Sequence, residues 1–191
     1  MVFKNEIFTQ ESLEGNDHDN SEFLACRFIG DFKFLNFNKC KFTDCDLSQA
    51  IFATTSFTEC SFPGTKLNNL DFGDIGIFSC NFSKGVMENC IFQKVVGKGN
   101  SKRKSMDLRG CLFEETDLNR SVFAFCNLEE VSFSKSNLES VVFELSNLKK
   151  TNFSKSNING ATFENCKIDE TILDIQGFIS FGSSKGFVLN N

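Results

Sequence analysis

Large apolar residues recur at every fifth position along most of the chain, with polar residues between them. Thirteen consecutive five-residue units have an apolar central residue, beginning with Phe32 and ending with Phe92. After an interruption the spacing resumes at Leu108 and continues through fifteen more centres to Phe178. A shorter lead-in segment, which includes Phe23, follows the same period one residue out of phase. The pattern predicts a repetitive fold built from two blocks of repeats.

A period of five residues fits neither an α-helix nor a straight β-strand. In a helix, at ~100° per residue, successive centres would point in directions ~140° apart and would cover every side. In a straight strand, an odd period would place alternate centres on opposite faces. The period is regular only if the chain bends once per unit, so that the centre and the residue two positions before it point inward. Long arrays of such units form solenoids, in which each coil covers its neighbours.

The residue two positions before each centre supports this interpretation. All nine cysteines occupy this inward position, where the other residues are mostly Ala, Ser, Thr, Val and Gly. Free cysteine behaves as a small apolar residue and is among the residue types most often buried. No Cys-x-x-Cys pair offers the spacing of a metal site, so we expect free, buried thiols without metal or redox chemistry. The nine are Cys26, Cys40, Cys45, Cys60, Cys80, Cys90, Cys111, Cys126 and Cys166.

Several units match the repeat of a known family. CDLSQ, TDLNR, SNLES, SNLKK and SNING resemble the A(D/N)LXX repeat of the pentapeptide-repeat proteins, and the resemblance spans about residues 21–178. It implies an all-β fold, a right-handed quadrilateral β-helix with four units per coil and about eight coils. The chain then divides into an N-terminal cap or lead-in at residues 1–20, the β-helix at residues 21–178 with an inserted loop near residues 95–105, and a C-terminal cap or dimerisation segment at residues 179–191.

With four units per coil, every fourth centre stacks on the same face. In the second block this predicts columns of like residues, with Phe113, Phe133 and Phe153 on one face and Phe123, Phe143 and Phe163 opposite. Outward charges follow the same spacing and alternate in sign at two neighbouring corner positions. These are Arg109, Glu129, Lys149 and Asp169, followed by Gly110, Glu130, Lys150 and Glu170. Ion pairing that fixes the coil register is the main interpretation, and a functional acidic stripe is the alternative.

The interruption between the two blocks is one candidate binding element. The centres Phe92 and Leu108 are separated by 16 positions, so one, six or eleven residues are extra, and a longer looped-out segment is favoured. The segment carries a basic cluster of Lys98, Lys102, Arg103 and Lys104. It is either a solvated loop without a partner or a partner-binding loop.

Three phenylalanines and the C-terminal segment also depart from the repeat. Phe34, Phe78 and Phe125 occupy outward positions, where an aromatic side chain is either incidental or a contact for a partner. The C-terminal segment is apolar but irregular, and an open solenoid end must be capped or paired. We therefore predict a homodimer formed through one end of the rod, because the apolar residues exceed what a simple cap needs. They are Phe178, Ile179, Phe181, Phe187, Val188 and Leu189.

Composition and charge argue against several classes of function. The net charge of −5, from 20 basic and 25 acidic residues, argues against a broad basic surface for nucleic acid. No apolar stretch approaches the ~20 residues of a membrane span, and the N-terminus lacks the apolar segment of a signal peptide, so we expect a cytoplasmic protein. The single histidine, His18, lies in the polar segment NDHDN, which the sequence predicts to be a loop. We expect neither an enzyme nor a cofactor.

Two binding functions remain. The resemblance extends to the quinolone-resistance and topoisomerase-poison immunity subfamily, in which an acidic rod imitates DNA and protects DNA gyrase. Acidity is concentrated in residues 106–178, where 12 acidic and 7 basic residues give −5. Glu139 and Glu144 are candidate contacts in that block. Alternating ladders, a modest net charge and the lack of a clear amphipathic dimerising helix at the C-terminus count against a mimic. The alternative is an interaction scaffold whose unknown partner contacts the basic loop or the rod ends.

Overall fold

The computed structural model describes residues 1–13, 15–94 and 104–190. They form a β-helix of about eight coils with one α-helix at its C-terminal end. Each strand is short because the chain turns after every unit of five residues. The elements are β1 (Val2–Lys4), β2 (Ile7–Phe8), β3 (Asp17–Asp19), β4 (Glu22–Leu24), β5 (Arg27–Lys33), β6 (Asn36–Asn38), β7 (Lys41–Thr43), β8 (Asp46–Ala53), β9 (Thr55–Thr58), β10 (Ile75–Phe78), β11 (Ile91–Phe92), β12 (Met106–Asp107), β13 (Val122–Ala124), β14 (Cys126–Asn127), β15 (Val142–Glu144), β16 (Thr162–Glu164) and α1 (Ile175–Ser184).

Strands stack in parallel along the faces of the rod, one coil upon the next. The sheets are β1–β4–β7, β2–β5–β8, β3–β6–β9–β10, β11–β13–β15–β16 and β12–β14. Within a regular coil the paired residues are twenty positions apart, as in Phe123 with Phe143 and Phe143 with Phe163. Isolated parallel bridges continue this spacing where the strands are too short to be named, as in Ser132 with Asn152. The predicted quadrilateral β-helix with four units per coil is therefore confirmed.

Stacked phenylalanine rings fill the interior. Phe133 lies between Phe113 and Phe153, with ring centroids 5.1 and 5.4 Å away and interplanar angles of 16° and 4°. The opposite column, which contains Phe123 and Phe143, meets it edge to face at 5.5 and 5.9 Å. Parallel stacking within a column and edge-to-face contact between columns are both favourable arrangements of aromatic quadrupoles. The predicted columns of the second block are confirmed.

The inward position two residues before each centre also forms hydrogen bonds. The sequence pattern predicted only a small apolar residue at this position. Its hydroxyl and thiol groups donate to the carbonyl of a centre in the preceding coil: Thr151 Oγ1 to Leu128 O at 2.8 Å and Cys126 Sγ to Phe92 O at 3.2 Å. Burial raises the pKa of the Cys90 and Cys126 thiols to about 12, so they keep the proton that they donate. Ser, Thr and Cys share this position because each is small and carries a donor.

One cysteine departs from the prediction that all nine are fully buried. Eight are buried, whereas Cys166, near the end of the last coil, is half-buried. Its thiol still donates to Phe143 O at 3.4 Å. The Cys166 side chain is less covered by protein atoms because no further complete coil follows.

The described residues among the first twenty form the first coil of the β-helix. β1, β2 and β3 pair with β4, β5 and β6, and the centres continue at Phe3, Phe8, Leu13 and His18. His18 therefore lies in the core, stacked on Phe37 at 5.1 Å, and the prediction of a loop was wrong. The out-of-phase lead-in has a local cause: the pairing of β5 with β8 shifts register between Arg27 and Ile29.

The interruption accommodates eleven additional residues. Ile91 pairs with Val122, thirty-one positions later, where a regular coil would need twenty. Of the three insertion lengths that the spacing allowed, the longest is the one present. Residues 95–103, with Lys98, Lys102 and Arg103, lie outside the described residues, and Lys104 is exposed.

The C-terminal end is closed by α1 rather than by a further coil unit. Phe178 was assigned to the last centre, but it lies on this helix and is 68 % exposed. Asp174 caps the helix by accepting from Gly177 N at 2.8 Å, and it also accepts from Lys155 N at 2.6 Å. These hydrogen bonds hold the pKa of Asp174 below its usual range. Phe181 packs on Phe163, so the helix covers the end of the core.

We predict that Phe133→Ala lowers the free energy of unfolding by ~3–5 kcal/mol, because it opens a cavity between stacked rings. Chemical denaturation followed by circular dichroism measures this loss. Ser134→Ala, on the adjacent outward position, is the control and should change stability by less than ~0.5 kcal/mol. A loss below ~1 kcal/mol for Phe133→Ala would place this residue outside the core.

Candidate interaction surfaces

A ladder of alternating charges runs along one corner of the second block. Lys149 lies 3.8 Å from both Glu129 and Asp169, and Lys150 lies 3.5 Å from Glu130 and 3.9 Å from Glu170. Each of the four carboxylates in this corner ladder therefore lies within 4 Å of a lysine, and the two lysines offset half of the negative charge. Exposed pairs of this kind contribute little stability, but they favour one coil register over another.

The first member of the corner ladder differs from the expectation. Arg109 pairs with Asp107 on its own coil, with Nη2 to Oδ2 at 2.7 Å and Nε to Oδ1 at 2.9 Å. The guanidinium holds the pKa of Asp107 below its usual range. Arg109 therefore belongs to a local bidentate pair, and the alternating contacts begin at Glu129.

A second acidic surface lies two faces further along the coil from the corner ladder. We define the acidic face as the outward positions that flank the buried centres Met87, Leu118, Leu138 and Ile158. Among these described positions, three are acidic, none is basic and four are asparagines. They are Val86, Glu88, Asp117, Asn119, Asn137, Glu139, Asn157 and Asn159.

Amide hydrogen bonds order the acidic face. Asn137 Nδ2 donates to Asp117 Oδ1 at 2.9 Å, and Asn157 Nδ2 donates to Asn137 Oδ1 at 3.2 Å. The side chains are thus held at the spacing of the coils. Glu88 and Glu139 have no ion pair within the part of the chain that the structure describes. Polar groups at fixed spacing suit a partner with its own regular array of donors.

The two glutamates singled out from the sequence lie on different faces. Glu139 is exposed on the acidic face, whereas Glu144 lies on the next face and is half-buried. Glu144 is in register with Glu164 on the following coil, and Glu164 pairs with Lys185 at 3.4 Å. Charge reversal at Glu139 and Glu144 together would therefore alter two surfaces, so Glu88 is the better companion for Glu139.

Phe34 and Phe125 lie along one corner but not together. Both adopt left-handed backbone conformations, with φ of 60° and 55°, at the corner that follows the same face. The intervening corner positions are Thr54, Asp74 and Lys94, so four coil steps, roughly 19 Å, separate the two rings. Phe34 is 62 % exposed and Phe125 is half-buried. They do not form one aromatic patch.

The C-terminal residues combine a cap with an exposed apolar surface. Phe181 and Ile179 are half-buried, whereas Phe178, Phe187, Val188 and Leu189 are exposed. The helix and the tail that follows it enclose an apolar groove of about 660 Å³. We name Ile175, Phe178, Phe187, Val188 and Leu189 the C-terminal apolar surface, because contiguous exposed residues of this kind mark interaction sites.

The described residues contain no candidate metal cluster and no candidate membrane-spanning helix. Within residues 1–13, 15–94 and 104–190, no group of three His, Cys, Asp or Glu side chains has the arrangement of a metal site. In the same ranges, no helix is both long and apolar enough to cross a membrane.

Two family profiles match this architecture. One describes a pentapeptide repeat region and matches residues 100–173, and the other describes pentapeptide repeats and matches residues 32–74. Together they cover more than half of the chain. This chain belongs to the pentapeptide-repeat family. A sequence search of curated proteins gave no match.

One of the similar solved structures shares the fold along its whole length. A trypsin-treated form of QnrB1, a plasmid-mediated fluoroquinolone resistance protein, is 18 % identical and superposes with a TM-score of 0.73 over 100 % of this chain and 99 % of that chain. HetL, involved in heterocyst differentiation regulation in the cyanobacterium Nostoc, is 14 % identical, with a TM-score of 0.33 over 87 % and 84 %. At these identities the likeness to QnrB1 describes the architecture of the rod.

Proposed function

We propose that this pentapeptide-repeat protein is a non-enzymatic binding protein that imitates duplex DNA and occupies the DNA-binding surface of DNA gyrase. The observation that carries the proposal is the superposition on QnrB1 along the full length of both rods. QnrB1 is a resistance protein with this architecture. It is therefore the precedent for the gyrase protection that the family resemblance implies. The shared length supports a shared mode of binding, because a mimic must span the same surface as the DNA.

The acidic face is the surface proposed to contact gyrase. Its carboxylates, Glu88, Asp117 and Glu139, lie on consecutive coils without cations at the flanking positions. The corner ladder is a poorer candidate, because each of its four carboxylates is paired with one of two lysines. Duplex DNA carries one charge per ~1.7 Å, so three carboxylates over about 10 Å give a lower charge density. We therefore expect binding that depends strongly on salt and on the fit of the amide ladder.

The test is competition between this protein and duplex DNA for purified gyrase, measured by binding and supercoiling assays at low salt. Glu88→Lys with Glu139→Lys should weaken binding by about tenfold or more, equivalent to ~1.4 kcal/mol, because two contacts become repulsive. Asp71→Lys with Asp74→Lys is the matched control, since it changes the net charge equally on a different face. Equal losses in both variants would leave only general electrostatic attraction and would refute the assigned face. No binding of the unaltered protein at tens of micromolar would refute gyrase as the partner.

An interaction scaffold is the second candidate, favoured by the C-terminal apolar surface and by the basic segment between the two blocks. Deleting residues 97–104 distinguishes the functions. A DNA mimic retains its affinity for gyrase without this segment, although protection from a gyrase poison can be lost. A scaffold that uses the basic cluster loses its partner when the cluster is removed.

We also propose that two copies associate through the C-terminal apolar surface. A two-fold axis at this end would let the same residues cover both rods at once. Four of the six residues expected in the interface are exposed, and Phe181 already serves the cap. The groove between α1 and the tail offers a concave apolar surface for the partner's side chains.

Sedimentation should show a dimer for the intact chain and a monomer for Phe187→Ser with Leu189→Ser, because both residues are exposed and leave the Phe181 cap intact. Removing residues 179–191 should give a monomer or an aggregate, since it also uncovers the core. Phe34→Ser, which removes one exposed aromatic ring on a distant corner, should leave the dimer unchanged. A monomeric intact chain at high micromolar concentration would make the tail only a cap.

A further inference from the structure

His18 replaces an apolar centre in the first coil. The other centres of this coil are Phe3, Phe8 and Leu13, and the next residues in the His18 column are Phe37 and Phe57. The imidazole stacks on Phe37 at 5.1 Å with an interplanar angle of 20°, and only 6 % of the residue is exposed. An ionisable ring therefore occupies a place that the fold otherwise gives to hydrocarbon.

One nitrogen of this ring lacks a partner. Nε2 is buried and has no hydrogen-bond partner among the described residues. A neutral ring leaves there an unfilled acceptor, whereas a protonated ring would bury an N–H donor and a positive charge without an acceptor. The protonated ring has much the higher free energy of the two, because an unpaired buried charge loses its hydration.

The charged groups around the ring are few. Asp17 and Asp19 flank it on β3, and their Oδ1 atoms accept from Asn36 Nδ2 and Asn38 Nδ2 of the second coil, each at 2.8 Å. These two carboxylates, with a hydrogen bond to the backbone of Gly15, favour the protonated ring.

From the second coil, the neighbours of the ring are uncharged. Phe37 stacks on it, and the Cys40 thiol donates to the His18 carbonyl oxygen at 3.1 Å. Burial outweighs the carboxylates, so the pKa of His18 lies below its usual value of 6.5.

The first coil is attached on one side only. β1, β2 and β3 are the terminal strands of their sheets, so each pairs with a single neighbour in the second coil. Terminal repeats of a solenoid gain one interface rather than two, and they open before the interior repeats. A destabilising event confined to this coil can therefore release it without unfolding the rod.

We propose that the first coil, residues 1–20, is an acid-labile cap that detaches from the rod when His18 is protonated. Its detachment exposes the edges of β4, β5 and β6 together with the rings of Phe23 and Phe28, so a new end of the solenoid becomes available for pairing. The direction follows from proton linkage. The unfolded coil binds the proton more tightly, so the cap is fully stable above pH 6.5 and loses stability as the pH falls through the folded pKa.

Hydrogen exchange at pH 7.5 and 5.5 tests the proposal on the full chain. After correction for intrinsic exchange rates, amides of β1–β3 should open more readily at pH 5.5, by up to about tenfold per unit of pH between the unfolded and folded pKa values. Amides of β13–β16 should show no such change. Because the chain has a single histidine, its ring proton signal reports the folded pKa directly by NMR.

His18→Phe is the decisive variant, because it completes the aromatic column and removes the titrating group. Its first coil should show the same protection at both pH values. Asp17→Asn with Asp19→Asn should lower the folded pKa of His18, as read from its ring proton signal, since these carboxylates favour the charged ring. A folded pKa at or above 6.5, or the same pH dependence in His18→Phe, would overturn the proposal.

Discussion

Stacking of each centre on the equivalent centre of the next coil is the constraint on which the rest of the structure depends. It requires a constant number of residues per coil, because a shift of one position would turn the inward side chains outward. The backbone hydrogen bonds, the stacked rings and the donors of the second inward position all connect one coil to the next. Departures are therefore local: a register shift between Arg27 and Ile29, and an insertion that leaves the pairing of Ile91 with Val122 intact.

An interior committed to stacking confines partner recognition to the outward positions and the two ends. The faces differ in charge although their cores are alike, since two lysines pair with the carboxylates of the corner ladder and the eight positions of the acidic face carry no basic residue. This difference is why we assign the proposed gyrase contact to Glu88, Asp117 and Glu139. The two ends differ as well, because the C-terminal end has a helical cap and the N-terminal end has a coil with a buried histidine.

Periodic features were predictable from the sequence, and features that end the period were not. The phenylalanine columns and the pairs of Lys149 and Lys150 follow directly from coil spacing. The last centre of the first coil was missed because His18 is polar, although its five-residue distance from Phe23 was a usable signal. Phe178 also matched the period, yet the Asp174 cap starts a helix there. The electrostatic difference between faces depends on which outward columns lie next to each other. This arrangement could be read only from the three-dimensional register of the coils.

Excision of whole or partial coils tests the stacking constraint most directly. Deleting residues 131–150 removes one full coil and places Phe153 over Phe113, so the chain should remain a β-helix with a single cooperative unfolding transition. Deleting residues 136–140 removes only one unit and rotates every later column by one face. That variant should unfold at much lower denaturant concentration or lose cooperativity, although it lacks fewer residues. Equal or greater stability of the five-residue deletion would contradict the account.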